Sequence, residues 1–345
     1  MKKLLIFLLI TSMALSMAAC GGKSGSTSNT TPTSSGDNAA SSGKVYEFKL
    51  GHTGAPNHHY QYMLEKFAED VKTKTNGQII ISVFPSDQLG NQMESTEGTM
   101  LGTHDMVLTS DMVLSNWVPE MGILNLPFLF KDNTHLRKVL DGEIGQKFAD
   151  LITPTGAFCL AFWDNGFRHI TNSKRPINSP EDVKGLKIRV PEGEVYLDTF
   201  TALGAIPTVI SFGELYSALQ LNTVDGQENP PAHIITQKFY EVQKYVARTG
   251  HIHSCSPLLI NKKKFDALPS DLQKILVDSA KEYAIKHTQY VEELEAEQWK
   301  EIEANGMEIT DPDKAPFEEA VQPVIEKARK KFGSELIDAI LELKE

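Results

Sequence analysis

The sequence predicts a two-lobed α/β fold in which mainly parallel sheets are flanked by helices. Three observations predict it. A polar stretch separates an apolar start from a folded part of roughly 300 residues, a length that usually divides into two domains. Short strand and helix patterns then alternate in two successive runs, as in parallel sheets with helices on both faces. Finally, a helical pattern of some 35 residues would extend roughly 50 Å, more than one small domain.

The start of the chain sets the compartment. Lys2 and Lys3 precede an apolar run, Leu4–Ala19, broken only by Thr11, Ser12 and Ser16. Such a run suits a signal peptide and is short for a membrane-spanning helix. It ends in Ala18-Ala19-Cys20-Gly21, which looks like a bacterial lipobox, so residues 1–20 read as a lipoprotein signal peptide with Cys20 as the lipidation site. Residues 21–43 are Ser, Thr, Gly, Asn and Ala with almost nothing apolar; they cannot form a core and read as a flexible tether. No later stretch reaches the roughly 20 apolar residues of a membrane span.

Beyond the tether the chain carries 31 basic and 44 acidic side chains. That balance, without a basic cluster, argues against a nucleic-acid partner. Cys159 and Cys255 both lie in apolar runs and read as buried free thiols rather than a disulfide scaffold.

Alternating Tyr46–Leu50 is a strand. The pattern from about Asn57 to Lys74 is a helix with Tyr60, Met63, Leu64, Phe67 and Val71 on one face. Strands near 78–84 and 105–109, with a helix near 92–101, complete the first run. The second run starts at Ser179-Pro-Glu-Asp182, a helix N-terminus in cap, proline and acids. Strands at 186–190 and 206–210 flank a helix at 194–203. Ser211 with Glu214 has capping-box spacing, and Asp225-Gly226 is a turn. The long amphipathic helix runs from a cap at Ser270 to about Ala304, and a final helix covers about 316–331.

Arg189 is the leading site candidate. It sits near the carboxyl end of a strand and before a helix N-terminus, where open α/β sheets gather anions. Its planar fork matches a carboxylate; the alternative is a surface salt bridge. Arg168 follows Trp163-Asp-Asn-Gly-Phe167, in which Trp163 and Phe167 are candidate walls, although Asp164 is also an adequate structural partner for it. Asn229 lies in Val224-Asp-Gly-Gln-Glu-Asn-Pro-Pro231, a polar stretch that by itself reads equally well as a plain loop. Tyr196, just beyond Arg189, is a candidate for size or hydroxyl contacts. His58-His59 and His251-x-His253 lack a third clustered ligand and read as capping or packing groups, with no metal expected. Hydrolase, metalloprotease, phosphate-loop and dinucleotide motifs are absent, so neither an enzyme nor a cofactor is expected.

Seven blocks carry a resemblance: Gln88-Leu-Gly90, Leu126-Pro-Phe-Leu-Phe130, Asn165-Gly-Phe-Arg168, Gly185-Leu-Lys-Ile-Arg-Val-Pro191, Ala202-Leu-Gly-Ala205, Glu214-Leu-Tyr-Ser-Ala-Leu-Gln220 and Val224-Asp-Gly-Gln-Glu-Asn-Pro230. In this order they resemble the solute-binding subunits of tripartite ATP-independent periplasmic (TRAP) transporters, dicarboxylate- and sialic-acid-binding type, over about Lys44 to Asp338. The resemblance implies a periplasmic-binding-protein-like fold joined by hinge strands and a hinge-spanning helix. Lobe I is then expected at 44–166 with 255–294, and lobe II at 167–254 with 295–345. It further implies Arg189 as the carboxylate clamp, Arg168 as a second arginine near it, Asn229 as a carboxylate contact and Phe212 as a ring over the acid. Thr53 and Asn91, with His52 and Glu94, fall where the first lobe reads the rest of the ligand. A monomer outside the cytoplasmic membrane, serving TRAP permease subunits and held to the membrane only by lipid, is expected. Thr208-Val-Ile-Ser211 departs from the Thr-Pro-Met of many relatives, so the substrate is not inherited. Sugar acids such as uronates fit the candidate polar groups better than C4-dicarboxylates, with keto and aromatic acids as further options. A sensory lipoprotein is the reading from a different class.

Overall fold

The structure, a computed structural model, describes residues 44–344; Cys20, the signal segment and the tether lie outside the described residues. Nine strands form one connected sheet: β1 (Tyr46–Gly51), β2 (Ile79–Phe84), β3 (Met106–Leu108), β4 (Ala157–Asn172), β5 (Lys187–Val190), β6 (Ile206–Val209), β7 (Gly226–Asn229), β8 (Tyr245–Asn261) and β9 (Glu308–Thr310). Their order is β2-β1-β3-β8-β4-β7-β5-β6, with β9 also on β8. The β1/β2, β1/β3, β5/β6, β5/β7 and β8/β9 pairs are parallel. The three pairs that involve β4 or β8 with β3, β7 or each other are antiparallel.

This arrangement makes two lobes. β4 and β8, of 16 and 17 residues, run antiparallel from Ala157↔Asn261 to Asn172↔Tyr245. Near one end β8 pairs with β3, and near the other with β9. The two strands therefore belong to both halves of the sheet and are its hinge strands. Their ladder shifts register at three places, between Cys159 and Ala161, Asp164 and Gly166, and Arg168 and Ile170. Such bulges bend a strand and re-aim its side chains, and Gly166 takes φ +109°, which favours glycine.

The helix Ser270–Ala304 is continuous over 35 residues. Leu272, Leu276, Ala280 and Ala284 join the core of β1–β3 and the helix His59–Lys74, whereas Trp299 and Ile302 join that of the 215–246 region. One helix thus contributes to two cores. The helix His59–Lys74 buries Tyr60, Met63, Leu64, Phe67 and Val71 as its periodicity predicts, and the His58 imidazole caps it by accepting from Tyr60 N at 3.2 Å.

Several local expectations are corrected. Ser211 Oγ donates to the Glu214 carboxylate at 2.7 Å instead of capping a helix, and a 3-10 turn, Phe212–Glu214, precedes the helix Leu215–Gln220. Ser270 is the first helical residue and makes no cap bond. The single final helix is two, Ala315–Ala320 and Gln322–Phe332, followed by a third at Glu335–Glu342. The polar stretch after the Asp225 turn is no loop: Gly226–Asn229 is β7, buried throughout. Cys159 and Cys255 are free and buried, and burial pushes the Cys159 thiol up to about 12.

Candidate ligand-binding site

The site lies where β4, β5 and β7 meet the first lobe. Arg189 is the third residue of β5 and only 2% exposed. Its Nε donates to the Ile210 carbonyl at 2.8 Å, and its guanidinium carbon lies 6.0 Å from the Phe212 ring centre. Among the described residues, neither terminal nitrogen of Arg189 has a hydrogen-bond partner. Burial pushes Arg189 down to about 10, with Glu228 acting in the opposite direction, so it stays charged at neutral pH.

Arg168 is 2% exposed but differently employed. The β4 bulge turns it toward β7, where Nε donates to Glu228 Oε2 at 2.6 Å and Nη2 to Glu228 Oε1 at 2.8 Å. Nη2 also meets the Glu228 carbonyl at 2.7 Å and Asn229 Oδ1 at 3.1 Å. Glu228 is fully buried, and His251 Nε2 lies 3.3 Å from its carboxylate. Burial alone would raise the Glu228 carboxyl, but Arg168 holds it below the usual range. Burial likewise opposes the Arg168 charge, and Glu228 outweighs it, leaving Arg168 above its ordinary value. Arg168 is thus ion-paired with Glu228, whereas among the described residues no carboxylate lies within ion-pair distance of Arg189.

A cavity of about 30 Å³ adjoins these groups, room for one or two waters. Arg189, Arg168, Asn229, Phe212 and Thr53 line it, as do Tyr60, Gln92, Ser110, Met112, Asn165, Pro191 and His233. Asn229 is fixed by Arg168 on its oxygen and by Gln227, to which its amide donates. Tyr60 Oη lies 2.7 Å from both Asn165 Oδ1 and Ser256 Oγ.

Five of the residues predicted for the site do not line this cavity. His52, next to Thr53, is bonded to Gln61 Oε1 at 2.8 Å. Asn91 and Glu94 form a capping box on the helix Gln92–Leu101, Glu94 N to Asn91 Oδ1 at 3.0 Å and Asn91 N to Glu94 Oε2 at 2.9 Å. Tyr196 packs beside Arg168, whose guanidinium carbon is 5.4 Å from its ring centre. Trp163 is in the core, where its Nε1 donates to the Ala280 carbonyl at 3.3 Å. His58, His59 and His287 are buried together, with His59 Nδ1 2.6 Å from His287 Nε2. Among the described residues no group of three or more His, Cys, Asp or Glu is arranged to hold a metal ion.

The chain and its fold have counterparts among known proteins. The model of bacterial extracellular solute-binding protein family 7 (DctP) matches residues 50–331. The chain belongs to the DctP family. A solute-binding protein of Verminephrobacter eiseniae is 40% identical over 287 residues, which are 83% of this chain and 86% of that one. A TRAP periplasmic solute-binding protein of Polaromonas sp. JS666, solved with D-erythronate, is 39% identical with TM-score 0.85, over 87% of this chain and 99% of that one. Another, of Sulfurospirillum deleyianum with succinate, is 32% identical with TM-score 0.82, over 87% and 100%. This DctP protein is thus a TRAP-type solute-binding protein and not an enzyme. Its general role is that of the family: capture of a small organic acid anion outside the cytoplasmic membrane, in association with a TRAP permease.

Proposed function

We propose that this DctP protein captures a sugar acid carrying one carboxylate, a uronate or an aldonate, and delivers it to its TRAP permease. Arg189 clamps the carboxylate with its two terminal nitrogens, Asn229 and Arg168 flank it, and Phe212 covers it. The single observation behind this reading is the charge count of the site. Arg168 is already matched by Glu228, so Arg189 supplies one unmatched charge for one carboxylate. A second carboxylate would enter a buried site without a partner cation, at a desolvation cost. Thr53, Gln92 and Ser110 supply polar contacts for the rest of the acid. We also assign lipid attachment to Cys20, so that Cys20→Ser protein should no longer sediment with membranes or incorporate labelled fatty acid.

A thermal-shift screen tests the substrate. A ligand at a hundred times its Kd stabilises the folded state by about 2.7 kcal/mol, a rise of roughly 5 °C for a chain of this size. D-erythronate or D-galacturonate should give it. A larger rise with succinate than with any sugar acid would overturn the sugar-acid reading.

A further inference from the structure

One lining group carries more information than the arginines. His233 sits on the helix Pro231–Thr236, directly after β7, and is almost wholly buried. Its Nε2 is 3.0 Å from Asn165 Oδ1. That oxygen is the acceptor end of the amide, because Asn165 Nδ2 donates to Ser254 Oγ at 2.8 Å. His233 must therefore donate through Nε2. In a neutral imidazole the other nitrogen is then a bare acceptor. Burial, with Arg168 and Arg189 nearby, pushes His233 down to about 3 and keeps it neutral. Nδ1 is buried and finds no partner among the described protein atoms. The ring itself is held on two sides, stacked on His58 at 4.3 Å and edge-on to Phe212 at 4.9 Å. A buried acceptor without a donor is unfavourable, and none of the carboxylate contacts relieves it, because a carboxylate brings no proton.

We propose that His233 is a specificity-determining residue whose Nδ1 accepts a hydrogen bond from the hydroxyl on the carbon next to the bound carboxylate. The inference rests on the arginine clamp above and adds a ligand class, the 2-hydroxy acids. A site built to pair a hydroxyl discriminates against the analogue lacking it, since the protein group is then left bare.

The test compares D-erythronate with its 2-deoxy counterpart, 3,4-dihydroxybutanoate, by calorimetry. Wild type should prefer D-erythronate. His233→Phe keeps a planar ring against His58 and removes both the Nδ1 acceptor and the Nε2 donor to Asn165, whose oxygen keeps Tyr60 as a donor; it should weaken D-erythronate about three- to tenfold and leave the 2-deoxy acid within about twofold. Equal affinities in wild type, or parallel losses in the variant, would overturn the proposal, because a purely structural ring affects both acids alike. Should His233→Phe fold poorly, ¹⁵N resonances of wild-type His233 decide: Nδ1 should shift with D-erythronate and not with the 2-deoxy acid. Failure of the clamp looks different, since Arg189→Ala would then leave both affinities unchanged.

Discussion

Among single residues, Arg189 and Arg168 differ in what they have left to give. Arg168 spends Nε and Nη2 on Glu228 and keeps only Nη1, 3.5 Å from Ser254 Oγ, whereas Arg189 spends only Nε on the protein and keeps both terminal nitrogens. Arg189→Lys should therefore be nearly as damaging as Arg189→Ala, because lysine keeps the charge and loses the planar fork. Hydrogen bonds to charged groups are worth about 1.5–3 kcal/mol, so loss of one should make binding roughly 10- to 150-fold weaker by calorimetry. A folded Arg189→Lys protein binding within about twofold of wild type would remove the fork-to-carboxylate contact from the account. The legible part of the site was the part carried by motifs: Arg189 at a strand end before Pro191, Arg168 after Asn-Gly-Phe, Asn229 before the proline pair. Glu228 and His233 carry no such signal, since their roles depend on β4 and β7 lying side by side, which no local pattern announces. Asn91 and Glu94 had a visible alternative, the three-residue spacing of a capping box.

At the scale of elements, the long helix was readable from end to end because its apolar positions recur with helical period. The strand β7 was not, because Gly-Gln-Glu-Asn has no apolar residue to alternate, and it is buried for the sake of the site rather than the core. The bulge of β4 at Gly166 is the element on which Arg168 depends. An added Cβ there would lie 3.3 Å from Pro230 Cβ, on a backbone at φ +109°. Gly166→Ala should cost about 1–3 kcal/mol, read as a lower urea midpoint at unchanged m-value. It should also weaken acid binding, since Arg168 lies two residues on. A variant as stable as wild type would show that the bulge relaxes freely.

For the whole molecule, the buried histidines set the response to acid. Burial pushes His52 and His287 down to about 4 and His233 to about 3. In the unfolded chain each titrates near 6.5. Between those values the unfolded state binds protons that the folded state refuses, so stability falls as pH drops from about 6.5 toward 4. At pH 5.5 each histidine costs roughly 1 kcal/mol. Asp87, raised to about 6 by burial with Glu94 and Glu192, works against this, because its folded form takes up a proton first. The net expectation is an unfolding midpoint several degrees lower at pH 5.5 than at 7.5 in the absence of ligand; an unchanged or higher midpoint would mean that these rings are hydrated.

The two hinge strands and the long helix each contribute to both halves of the molecule. Neither half owns an uninterrupted piece of chain, so neither can be expressed alone by trimming one end. Calorimetry of the ligand-free protein should accordingly show one unfolding peak with equal calorimetric and van't Hoff enthalpies, and two resolved peaks would contradict it. The same interleaving bears on how such proteins diversify. A chimaera exchanging one half with a relative would need splices inside both strands and the helix, each in register. New specificities in this architecture are therefore more accessible through point changes around the arginine site than through exchange of halves as cassettes.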